Sequence, residues 1–143
     1  MTYLTKQGLI DRFGELELVQ LTDRTNIPVS TVNDVVVGRA IDDATALADG
    51  YLAKVLALPL SVVPPVLEKT VADIARYYLY GDRADKDSQI TRAFNEATSL
   101  LRDVSRGLVQ LTDGAEAPKS AGGGQVQASA PNRVFTRDSL RSF

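Results

Sequence analysis

The sequence contains no cysteine and no histidine. Without cysteine there is no disulfide framework, no thiolate nucleophile and no zinc–thiolate site, which fits a reducing compartment. Without histidine, the commonest proton shuttle and the commonest metal ligand are both missing. No apolar run approaches the roughly 20 residues needed to span a bilayer, and the N-terminus lacks the basic-then-apolar pattern of a secretory signal. Synthesis in a cytoplasm and no membrane association are therefore expected. A formal charge of −2 gives no general attraction to nucleic acid. No GxxxxGK phosphate loop occurs, Gly122 to Gly124 follow no strand, and the Ser and Lys residues have no partner at nucleophile spacing. These absences point away from an enzyme, and no cofactor or metal is expected.

What is present is helical periodicity. The 143 residues suffice for one compact domain with a hydrophobic core. The chain is organised around Ser30 to Leu58, where Val36, Ala40, Ala44, Leu47, Tyr51 and Val55 recur three or four residues apart. This spacing predicts one long helix, capped by Ser30 and ended by Pro59, about 40 Å in length. Gly38 and Gly50 weaken it and point to close packing or bending. Asp34, Asp42, Asp43 and Asp49 form its polar side.

Before it, Thr5 to Phe13 reads as a short amphipathic helix with Leu9, Ile10 and Phe13 on one side, stopped by Gly14. A second short helix follows with Leu16, Val19 and Gln20 in register, and Asn26-Ile27-Pro28 breaks the chain. After it, Pro65 starts a helix to Tyr80 whose stripe is Leu67, Val71, Ile74, Ala75 and Tyr78, with Gly81 as its stop. A last helix spans about Asp87 to Gly107, with Ile90, Ala93, Phe94, Ala97, Leu100, Leu101 and Val104 on one face. Composition changes at Thr112. Residues 1–112 read as an all-α small helical bundle, residues 113–132 as a flexible Gly/Ala/Ser-rich linker, and residues 133–143 as a C-terminal docking arm. In the arm, Phe135, Leu140 and Phe143 alternate with Arg133, Arg137 and Arg141, a pattern suited to apolar pockets flanked by carboxylates.

Three other constellations have a chemical and a structural reading. Asp42 and Asp49 share a helix face two turns apart, about 10 Å, too far to hold one ion between them. The acidic group reads as a solvated face. Leu21 to Arg39 is similar to the helix-turn-helix of repressor-type DNA-binding proteins, which makes a small DNA-binding regulator the alternative reading. Against it, Asn33 and Asp34 stand at the start of the would-be recognition helix with only Arg39 basic, and a DNA reader needs cations for phosphates. Tyr77, Tyr78 and Tyr80 offer a stacking platform for bases, but Tyr78 belongs to the apolar stripe and core packing is the expectation.

Several short motifs in a fixed order carry a resemblance. They are Tyr3-Leu4-Thr5 leading into LIDRFGELELVQLTDR, Ala40-Ile41-Asp42-Asp43-Ala44, Ala48-Asp49-Gly50-Tyr51-Leu52, Asp73-Ile74-Ala75-Arg76-Tyr77-Tyr78-Leu79 and Phe135-Thr136-Arg137-Asp138-Ser139-Leu140. Together they resemble the Mu-like bacteriophage head-tail connector (adaptor) proteins over nearly the whole chain. The resemblance implies a structural virion protein at the head-tail junction, made and assembled in the host bacterial cytoplasm. It implies a homo-oligomeric ring of twelve copies, in contact with the portal protein and with tail-side connector or terminator proteins. DNA would pass through the axial channel without sequence-specific binding. On this view Arg133, Phe135, Arg137, Leu140, Arg141 and Phe143 bind a partner, and Asp34, Asp42, Asp43 and Asp49 are candidates to face the channel, where their charge keeps DNA from sticking.

Overall fold

A computed structural model of the chain describes residues 2–111. The linker and the docking arm expected from the sequence lie outside the described residues. Five α-helices and one 3₁₀ turn make up the described part, with no strand among those residues: α1 Lys6–Phe13, α2 Glu15–Thr22, α3 Asp34–Leu52, α4 Pro65–Tyr80, the turn Gly81–Arg83, and α5 Gln89–Ser105. The fold is an all-α small bundle.

Local chemistry sets most boundaries. The Thr5 hydroxyl oxygen accepts from the Gly8 amide at 3.1 Å and caps α1. Gly14, at φ 88°, donates its amide to the Ile10 carbonyl and lets the chain turn directly into α2, a backbone conformation that a side chain would strain. Pro65 occupies the first turn of α4, where its missing N–H costs nothing, and Gly81 ends that helix. Ser88 caps α5 by accepting from the Thr91 amide.

α3, α4 and α5 pack against one another, and α1 and α2 close over α3 and α4. Ala44 and Ala48 of α3 and Ala72 and Ala75 of α4 are fully buried, so these two helices meet through small side chains and their axes lie close. Leu9, Leu18, Leu52, Leu67, Ile74 and Leu101 fill the space around that seam. Ile10, Phe13 and Phe94 pack against its edges. α3 is the scaffold that the periodicity predicted, at reduced length.

The helix from Ser30 to Leu58 is shorter at both ends. Its cap is Asn33, whose side-chain oxygen accepts from the Val35 and Val36 amides at 3.1 and 3.3 Å. Ser30 instead donates its own amide to the Asp23 carboxylate. The helix stops at Leu52, where the Leu52 carbonyl accepts from both Val55 and Leu56 in a closing turn. Leu56, Leu58, Leu60 and Val63 then pack on the core from a connector, which continues the apolar spacing without being helical. α2 buries Leu18, Val19, Leu21 and Thr22 and leaves Leu16 and Gln20 outside. On α4, Leu79 takes the buried place expected for Tyr78, which is 37% exposed. A Cβ at Gly38 or Gly50 would meet no atom within 4 Å, so neither glycine marks close packing inside the chain.

Candidate functional site

The residues expected to act fall into two groups. Arg133, Phe135, Arg137, Leu140, Arg141 and Phe143 lie outside the described residues. Of the carboxylates on α3, two are engaged within the chain. Asp34 pairs with Lys6 on an exposed surface, and Asp49 accepts a hydrogen bond from the Tyr3 hydroxyl. Burial, with the Asp49 contact second, pushes the Tyr3 phenol pKa well above its ordinary value. Asp42 and Asp43 are exposed, and consecutive positions on a helix point about 100° apart. The four carboxylates therefore make no single strip. Among the described residues no group of three or more Asp or Glu is placed to hold a metal ion.

The tyrosines do not form a free platform. Tyr77 stacks on Phe94 at 4.1 Å between ring centres and 17° between planes, which joins α4 to α5. Tyr78 lines a cleft of about 140 Å³ with Arg24, Val36, Arg39 and Asp43. Burial, with the Asp43 charge second, raises its phenol pKa. The helix-turn-helix geometry is absent, because Asp23 through Asn33 separates α2 from α3 where that motif needs a turn of three or four residues. Asn33, the would-be base reader, spends its side-chain oxygen on the cap.

The most organised surface feature is that connection, built on one carboxylate. Asp23 Oδ2 accepts from the Ser30 amide at 2.9 Å, the Thr31 amide at 3.1 Å and Asn26 Nδ2 at 2.8 Å. Asp23 Oδ1 accepts from the amides of Thr25 and Asn26, both at 3.1 Å. These bonds, the Ser30 amide foremost, hold the Asp23 carboxyl far below the usual carboxylate range. Thr22 Oγ1 continues the network by donating to the Leu18 carbonyl and accepting from the Asn33 amide. The loop so fixed presents Ile27 completely to solvent, flanked by Val29 at 43% exposure and by Val35 at 69% in the first turn of α3. Holding an isoleucine in water forgoes about 1.5–3 kcal/mol of burial. Sequence reading missed Asp23. The available signal was the Asp-x-Thr-Asn run, an Asx-turn pattern.

Beyond the other end of α3 lies a groove of about 300 Å³. Val55, Leu56, Val104, Val109 and Leu111 line it with Gly107 and Gln110, and no charged residue contributes among the described residues.

The family model described as Bacteriophage Mu, Gp36 matches residues 3–128. Gene product J of Escherichia phage Mu is 34% identical over 147 aligned residues, covering 96% of this chain and 96% of its own. Mu-like prophage FluMu protein gp36 of Haemophilus influenzae is 28% identical over 143, covering 99% of this chain and 97% of its own.

Proposed function

The chain belongs to the bacteriophage Mu Gp36 family, and on that premise we propose that it is a structural virion protein, the head-tail connector (adaptor) subunit. Copies form a ring between portal and tail and leave an axial channel for DNA. The observation that carries this reading is the end-to-end similarity to a phage Mu gene product, found in a chain whose patterned residues build helix contacts and surface contacts.

The role needs a stiff body and separable contact surfaces, since binding energy in a ring is divided over repeated heterologous contacts. The α3–α4 seam supplies the stiffness. The arm supplies the link to the portal or a tail-side protein: Arg133, Arg137 and Arg141 pair with carboxylates there while Phe135, Leu140 and Phe143 fill apolar pockets. Asp42 and Asp43 are the α3 carboxylates best placed to face the channel, because both are exposed and neither pairs with a cation among the described residues. In a narrow lumen their charge repels the phosphates of passing DNA. The chain contributes surfaces rather than a reaction.

Deleting Arg133 to Phe143 in a phage that encodes this chain tests the reading. The truncated protein keeps its helical signal and melting temperature, while filled heads without tails accumulate. An undiminished yield of infectious particles would overturn it.

A further inference from the structure

We propose that the contact between copies of this chain seats the Ile27 loop of one copy in the apolar groove of the next. This deepens the ring reading above and rests on it.

The described residues supply both knob and hole. Ile27 is fully exposed at the tip of a loop that the Asp23 carboxylate holds in one shape, so docking orders little that is not already ordered. The groove offers aliphatic walls from Val55, Leu56, Val104, Val109 and Leu111. Among the described residues it offers no carboxylate to pair with Arg133, Arg137 or Arg141 of the arm, and its aliphatic walls suit isoleucine and valine.

Their placement decides which copy is the partner. The loop ends at Asn33, the cap of α3, and the groove begins at Val55, just past the end of the same helix. The 19 residues of α3, a rigid rod about 28 Å long, stand between them. A copy cannot fill its own groove with its own loop. Each copy instead gives a knob and receives one, a head-to-tail contact that closes into a ring when the rotation permits.

The size of the knob sets the strength. A stable pair of proteins buries about 800 Å² on each partner, and three aliphatic side chains fall well short of that. Two free copies therefore do not stay together in dilute solution. Copies join where a template concentrates them, because ring neighbours bind as if at high effective concentration.

The natural sequence has no cysteine, so introduced ones report without background. A chain carrying both Ile27→Cys and Val109→Cys is built into particles and treated with mild oxidant. Disulfide-linked multimers are expected from particles and none from dilute chain, and each single variant is expected to give none in either state. Ile27→Asp should leave the melting temperature unchanged and lower incorporation into particles more than tenfold. Particles that hold several copies yet yield no linked multimers overturn the inference and leave the connector reading standing. Particles assembled with the unsubstituted chain that nonetheless lack it overturn both. A Val109→Cys, Phe135→Cys chain that links within itself assigns the groove to the arm and overturns the inference alone.

Discussion

Arg76 grips Glu17 at two points, with Nε and Nη2 donating to the two carboxylate oxygens at 2.6 and 2.8 Å. The same guanidinium lies 4.4 Å from the centre of the Phe13 ring, so one side chain of α4 fastens both α2 and α1 to the bundle. Glu17 keeps the guanidinium charged, raising its pKa above the ordinary value.

An ammonium cannot reproduce that planar two-point grip or its stacking on Phe13. Arg76→Lys is expected to lower stability by about 1.5–3 kcal/mol in urea unfolding, the range for hydrogen bonds to charged groups. Glu17→Gln in the Arg76→Lys background should cost clearly less than it does alone. Strictly additive losses would show that the pair does not couple the two helices.

Tyr3 makes stability fall at alkaline pH. Its folded-state pKa is raised, first by burial and then by Asp49, so the unfolded chain loses the phenol proton before the folded chain does. The contribution is complete below the ordinary tyrosine pKa of about 10 and is lost as pH rises through and beyond it. Tyr3→Phe should flatten the decline in melting temperature between about pH 9.5 and 11. An unchanged slope would place its origin elsewhere.

Asp23 has the opposite sign. Its carboxyl is held ionised, so its contribution is complete above the ordinary aspartate pKa of about 4 and fades as pH falls below that. Asp23→Asn turns one accepting oxygen into a donor facing the loop amides. Hydrogen exchange at Ser30 and Thr31 should accelerate, and the acid loss of stability should shrink. Protection equal to the parent at both amides would mean the loop is held by something other than this carboxylate.

Thr45 on α3 is buried, and its hydroxyl has no partner among the described residues. Thr22 and Thr70, by contrast, donate to the carbonyls of Leu18 and Val66 four residues back, both at 2.7 Å. Replacing an unpaired buried hydroxyl by a methyl group of similar size removes a desolvation cost. Thr45→Val is therefore expected to stabilise the chain by about 1 kcal/mol in thermal or urea unfolding. A loss of stability would show that the hydroxyl is satisfied in solution.

Residues close in the chain determined a good deal by themselves. Thr5 as a cap, Gly14 and Gly81 as stops, Pro65 in a first turn and the three-to-four-residue spacing of the α5 stripe each act over four residues or fewer, and each stands where periodicity and capping chemistry put it. The all-α class follows from those rules.

Tertiary structure decided what those rules left degenerate. Ser30 and Asn33 are both good caps, and the choice fell to Asn33 because the Asp23 carboxylate, seven residues before Ser30, captures the Ser30 amide. The apolar spacing through Leu56 and Leu58 satisfies a helix and a core-packed connector equally well, and the chain took the connector. Leu79 was buried in place of Tyr78, and Asp49 was turned toward Tyr3, by neighbours far away in sequence. The pairing of an exposed Ile27 at one end of α3 with an uncharged groove past the other exists only once the helix separates them in space, since a linear pattern records spacing along the chain and not distance across it.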